Sequence, residues 1–275
     1  MLCVLLLPSL VSGVDMVLSS LLVMSPDSQR QKFMVPNLAT IQAFYETVNF
    51  YRMGSVILHD GLPEEFVEKY SRGHVRFQTV PRVLHDPIAD RWLMYNEFLN
   101  GNQRVEYVLF SDADVFFQQN VFTFIRQLPE VDIFLSFDVG THADNAWMQH
   151  VNRACKQTPP NRRQRIWNAG FWAARAEIAR YLLRCMIDEF RRFFHAKDHC
   201  DMAVFNTCVS RLSAERTGVK IYEGNRWSNP FRQECDNTNY VGIHNKCGDF
   251  DESQRLLCVE FVNDKPRRIT CDKTI

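Results

Sequence analysis

The chain has 275 residues, is 46% hydrophobic and 23% charged, and carries 32 Lys+Arg against 32 Asp+Glu. This composition excludes disorder of the whole chain, and the balanced charge without a long basic block excludes the basic stripe of a nucleic-acid binder. The length suits one large α/β domain better than two full ones.

The stretch MLCVLLLPSLVSG, residues 1–13, is apolar and ends in small residues. It reads as the remnant of a signal or membrane anchor. It lacks the Lys or Arg that opens a signal peptide, and it is shorter than the roughly 20 apolar residues of a span. The domain is expected to run from 14 to 275. Met16 to Met24 is an apolar run without Gly or Pro and predicts a buried strand. The polar loop SPDSQRQK follows. Asn37 to Phe50 has helical spacing of apolar residues. SVILHDG predicts a strand and turn, and LPEEFVEKYS a short helix with Pro63 and acids at its start. VRFQTV predicts a strand, IADRWLMYNEFL a helix and VEYVLFS the next strand. This rhythm predicts a mostly parallel, doubly wound central sheet with helices on both faces.

The second half is less regular. VDIFLSFD predicts a strand, and AWMQHVNRACKQTPPNRRQR a partly helical excursion. IWNAGFWAAR reads as a strand or as a loop leading into a helix. AEIARYLLRCMIDEFRRFF and HCDMAVFNTCVSRL predict helices, and from Glu215 onward short strands and loops follow. Nine cysteines are present, one of them Cys3 in the leader. They form no CxxC pair, so a zinc ribbon or thioredoxin-type motif is not expected. The remaining even set, concentrated in an irregular C-terminal part, predicts disulfides and an oxidising compartment. Buried free thiols are the alternative.

The chemistry centres on VEYVLFSDADVFFQQNVF, Val105 to Phe122. In a parallel α/β sheet, ligands bind beyond the carboxyl ends of strands. Asp112 and Asp114 emerge there, and residues two apart in extended chain point the same way. Ala113 then packs inward. Adjacent carboxylates repel unless a cation lies near them. Hard divalent ions such as Mn²⁺ or Mg²⁺ are held by one or two carboxylates plus substrate phosphates. The pattern therefore predicts a metal–diphosphate site.

FSDADVFFQQN, with the alternation around it, resembles the nucleotide-sugar-dependent glycosyltransferases of the GT-A fold. It is most similar in style to the group of glycogenin-like and related retaining enzymes. The resemblance covers roughly Val14 to Asp249. It implies a single GT-A (Rossmann-like) domain in which Asp112 and Asp114 bind Mn²⁺ (or Mg²⁺) and the diphosphate. In IWNAGFW it implies Asn168 and Gly170 against the donor sugar or acceptor. HCDMAVFN looks like the DQ-x-x-x-N helix start, giving Asp201 and Asn206, with Met202 where the family usually has Gln. VGIHNKCGD looks like the segment that supplies His244 as a metal ligand and Lys246 to the phosphates, although the usual Gly-x-Lys-Pro-Trp ending is absent. SPDSQR resembles the nucleotide-facing loop, and Arg91 is placed to counter phosphate charge.

The side chains support the same chemistry. A His and two Asp leave open metal positions for phosphate oxygens. Asp201 serves either as a stabiliser of an oxocarbenium-like transition state or, in an inverting enzyme, as the base on the acceptor. Asp201 as a mere helix N-cap and Asn168-Ala-Gly as an ordinary turn are the bland alternatives. Trp167, Trp172 and Trp227 read as core, with Trp227 the strongest candidate for a sugar platform.

The expected function is sugar transfer from a nucleotide-diphosphate donor to a glycan, protein or other acceptor, in the Golgi or ER lumen, by a membrane-anchored or secreted enzyme. Two alternatives stand beside it. FSDADV also fits the DxDx(T/V) string of haloacid-dehalogenase-like phosphatases, whose motif follows a first strand. The other alternative is a catalytically inactive GT-A carbohydrate-binding protein.

Overall fold

The computed structural model describes residues 15–21, 38–81, 87–157, 161–192, 200–216, 218–224, 227, 241–244, 257–262 and 265–270. For the last three of these segments, other than residue 241, the description is of the backbone. The leader 1–13, the SPDSQR loop, Lys246, and Cys235, Cys247 and Cys271 lie outside the described residues.

Chain order is β1 (Asp15–Leu21), α1 (Leu38–Phe50), β2 (Ser55–His59), α2 (Glu64–Tyr70), β3 (Val75–Thr79), α3 (Pro87–Gly101) and β4 (Tyr107–Ser111). Then come β5 (Val115–Phe117), α4 (Val121–Arg126), β6 (Ile133–Thr141), α5 (Ala146–Ala154), β7 (Arg165–Arg175), α6 (Ala176–Arg192) and α7 (Asp201–Glu215). Last are β8 (Ile221–Tyr222), β9 (Gly242–His244), β10 (Leu257–Val262) and β11 (Lys265–Thr270).

Seven strands form the central sheet in the order β3-β2-β1-β4-β7-β6-β8. The first four are mutually parallel, β7 is antiparallel to both neighbours, and β8 is parallel to β6. Every strand but β7 therefore points its carboxyl end to one edge. Alternation along the strands divides the core between two faces. Leu18, Val108 and Phe110 pack with Trp92, Leu182 and Phe205 of α3, α6 and α7. Val17, Tyr107 and Leu109 pack with Phe44 of α1 and Phe124 of α4 on the other face.

The segment read as strand or loop, IWNAGFWAAR, is the strand β7, and nine consecutive residues of it are buried. It shows no period-two pattern because it lies under helices on both faces. Its pairing with β6 is irregular: Leu135 stands opposite Trp172, yet Ser136 stands opposite Asn168. The extra residues Ala169 to Phe171 form a bulge at the carboxyl edge of β4, and bulges of this kind re-aim side chains near sites. Trp227 is fully buried and stacks on Phe171 at 5.1 Å, so it is core and not an exposed platform.

Two disulfides join Cys155 to Cys200 and Cys185 to Cys208. With sequence separations of 45 and 23 residues, each removes chain entropy from the unfolded state equivalent to about 3 to 4 kcal/mol. Among the described residues no helix is long and apolar enough to cross a membrane.

Candidate active site

Strand parity explains how the site assembles. Val108 and Phe110 face the α3/α6/α7 side, so Asp112 continues on that side just past the end of β4, while Ala113 packs into the opposite core. Asp112 N–H donates to the Gly170 carbonyl at 2.7 Å, which extends the β4–β7 pairing into the motif. The chain then turns, and Val115–Phe117 forms a small antiparallel ladder with Gly242–His244. His244 pairs with Val115, which brings its backbone next to the residue that follows Asp114.

Three charged side chains from distant parts of the chain meet at this edge. Arg91, in the first half of α3, donates to Asp112 Oδ1 at 2.9 Å and to Asp201 Oδ2 at 2.5 Å. Its guanidinium lies 4.5 Å from the centroid of the Trp92 ring, which favours a cation. Trp92 is itself buried against Tyr95, Phe110 and Trp172, so the aromatic core supports the charge from below. Burial works against the Arg91 charge, but Asp112 and Asp201 outweigh it and hold the guanidinium above its ordinary range. Nearby, burial pushes the Tyr95 hydroxyl up to about 12, and this group donates to Ser20.

Asp201 is the first residue of α7 and Cys200 is the N-cap, so the N-cap alternative for Asp201 falls. Its Oδ2 meets Arg91, and its Oδ1 accepts from Met202 N–H at 2.9 Å. The rest of the α7 start fastens β7. Asn206 accepts from Trp167 N–H and donates to the Trp167 and Met202 carbonyls. Met202, standing where the resemblance leads one to expect Gln, keeps a polar contact to the strand: its sulfur accepts from Ala169 N–H at 3.2 Å. Asn168 Oδ1 accepts from Gly170 N–H at 2.7 Å across the bulge. Asn206→Ala would leave the buried Trp167 N–H and C=O without these partners. The expected loss is about 2 to 4 kcal/mol, read by urea denaturation.

His142 was not singled out by sequence. It is buried one residue beyond β6, on the carboxyl edge that β6 shares with β4, and that edge is the signal that would have found it. Its Nδ1 lies 3.3 Å from Asn152 Nδ2. Burial lowers its pKa, partly opposed by a contact with Asn206. The folded state therefore binds fewer protons than the unfolded state below the usual histidine pKa of about 6.5. Stability is expected to fall as pH drops below that value, until the folded pKa is passed. His142→Gln should flatten this slope in a series of denaturation curves.

The sequence predicts one site made of Asp112, Asp114, Arg91, Asn168, Gly170, Asp201, His244 and Lys246, of which Lys246 lies outside the described residues. The structure brings Arg91, Asp112, Gly170 and Asp201 into a connected network with Asn168 behind Gly170, and it places the His244 backbone alongside. Among the described residues no group of three or more His, Cys, Asp and Glu is placed to hold a metal ion. By chemistry alone, two carboxylates one residue apart are the hard oxygen donors that a divalent ion takes beside the oxygens of a diphosphate.

A doubly wound sheet with one reversed strand, and a paired-aspartate turn at the carboxyl edge of its central parallel strand, defines an α/β transferase of the GT-A type. The chain belongs to the nucleotide-diphospho-sugar transferase family, whose profile matches residues 103–256, more than half of its length. No curated protein sequence matches it. Among solved structures it is similar to the galactosyltransferase LgtC in complex with donor and acceptor sugar analogs. That match has 14% identity and a TM-score of 0.52, covering 86% of this chain and 87% of that one. An active-site mutant of LgtC matches at 13% identity and a TM-score of 0.51, covering 86% and 88%. At these identities the likeness shows the fold. Family membership, with the motif after the fourth strand and not the first, removes the phosphatase alternative.

Proposed function

We propose that this chain transfers a hexose or pentose from a nucleotide-diphosphate sugar to a glycan, protein or other acceptor, with Mn²⁺ or Mg²⁺ held by Asp112, Asp114 and His244. The observation that carries this reading is the Arg91 bridge between Asp112 and Asp201 at the carboxyl edge of β4. A divalent ion there would supply Lewis-acid neutralisation of the departing nucleoside diphosphate. Arg91 orients the carboxylates on either side of it and adds positive charge near the phosphates, and the family resemblance makes Lys246 a further candidate for the same diphosphate. Gly170 allows close approach of the donor at the bulge, and Asn168 fixes that bulge and presents its amide N–H₂ to sugar hydroxyls. Both Asp201 oxygens already accept hydrogen bonds. That suits a fixed negative charge beside a developing oxocarbenium ion better than a proton acceptor. LgtC, which shares the fold, was solved with donor and acceptor sugar analogs, and this supports a donor and an acceptor sugar as the partners.

The two disulfides support work in an oxidising lumen of the secretory pathway, Golgi or ER, with the enzyme secreted or membrane-anchored. Alkylation under denaturing, non-reducing conditions should leave Cys155, Cys185, Cys200 and Cys208 unlabelled. Labelling of all four would contradict the lumenal placement.

The reading is tested by incubating the purified chain with a panel of UDP- and GDP-sugars and measuring nucleoside diphosphate release with Mn²⁺ and with chelator. Metal-dependent release from donors of one base supports it. A folded protein that binds nucleotide sugars but neither releases nor transfers any would favour the inactive carbohydrate-binding protein instead.

A further inference from the structure

The two disulfides both end on or at α7, but at different places. Cys185–Cys208 joins α6 to the middle of α7. Cys155–Cys200 joins the C-cap of α5 to the N-cap of α7, with Cα atoms 5.6 Å apart and both residues buried. A helix N-terminus normally gains order from a Ser, Thr, Asp or Asn side chain at the N-cap, which satisfies an orphan backbone N–H. Cys200 makes no such capping bond. Its carbonyl accepts the Val204 N–H at 2.9 Å, the first helical bond of α7, and the very next residue is Asp201. The Cys200 side chain therefore does not cap the turn that presents Asp201 to Arg91; Asp201, Met202 and Asn206 bond within the first turn and to β7, and the tie from the cap itself runs to α5 through the crosslink.

We propose that the Cys155–Cys200 crosslink is a positioning element. It takes the place of a helix cap and holds the Asp201 end of α7 in the Arg91–Asp112 network, whereas Cys185–Cys208 stabilises the helix pair without setting that geometry. The catalytic consequence rests on the role of Asp201 proposed above; the structural consequence does not.

The test compares the full chain with Cys155→Ala/Cys200→Ala and with Cys185→Ala/Cys208→Ala. Two quantities are read: native-state hydrogen exchange at the Val204 amide, and kcat and KM for release of nucleoside diphosphate from a UDP- or GDP-sugar. Removing the N-cap crosslink should speed Val204 exchange and lower kcat by about 10- to 100-fold, the scale of an ångström-sized misplacement, with KM nearly unchanged. Removing the other crosslink should lower the melting temperature comparably while leaving Val204 protection and kcat close to the parent. The idea is overturned if Val204 exchange is the same without the N-cap crosslink, or if both pairs lower kcat alike. Should the first variant not fold, the parent protein is partly reduced in its folded state, and each opened bridge is quantified by differential alkylation and mass spectrometry. Activity lost in step with opening of Cys155–Cys200 supports the proposal, and activity that follows only Cys185–Cys208 refutes it. If the parent turns over no nucleotide sugar, the proposed function fails, and Val204 exchange alone decides the positioning role.

Discussion

Asp114→Asn is expected to remove Mn²⁺-dependent nucleotide binding while the protein stays folded. The substitution keeps the shape of the side chain and one acceptor oxygen but deletes a negative charge. A hard divalent ion depends on that charge for much of its attraction to the site. The expected weakening is at least about 100-fold, since even residues that only support a metal ligand account for 10- to 100-fold. The fold should survive because the turn itself is held by backbone: Val115 N–H donates to the Asp112 carbonyl, and β5 pairs with β9. Calorimetric titration of nucleotide with and without Mn²⁺ reads the effect, and an affinity equal to that of the parent would sink the metal assignment.

Arg91→Met is expected to cost both stability and activity. The Arg91 side chain is 17% exposed and its guanidinium is bonded to two carboxylates, whose side chains are 12% (Asp201) and 37% (Asp112) exposed. Methionine retains much of the packing on Trp92 but leaves two negative charges facing the space the cation filled. Breaking a buried ion pair from one side costs about 3 to 5 kcal/mol. The lower end is expected here, because water reaches Asp112. Arg91→Lys should recover only part of the loss, since an ammonium cannot make the forked contact that spans both acids. Adding Asp201→Asn to Arg91→Met should restore stability in part, and a double-mutant cycle by urea denaturation measures that coupling. Wild-type stability in Arg91→Met would show that the bridge is not a structural element.

Much of this site was legible from sequence because its central feature is local. An apolar strand that ends in Asp-Ala-Asp states both its burial and its exit at the sheet edge, and the alternating rhythm around it states the parallel sheet. The partners were not legible in the same way. Arg91 reaches Asp112 across 21 residues and Asp201 across 110. No periodicity encodes such contacts, so Arg91 looked like a counter-charge for phosphate and Asp201 could pass for a helix cap. The β7 strand was ambiguous for a different reason: burial on both faces erases alternation, and its bulge at Ala169 to Phe171 breaks the register. The cysteine content pointed to disulfides, but pairing depends on which helices lie side by side, and only the fold shows that Cys155 and Cys200 meet beside Asp201.

The measurement that bears most directly on the central claim is calorimetric titration of the purified chain with UDP and with GDP, each in the presence and absence of Mn²⁺. Binding of one nucleotide that appears only with the metal is the predicted result, and it names the donor base. A folded protein that binds neither nucleotide, with or without Mn²⁺, would contradict a metal–diphosphate site at Asp112 and Asp114.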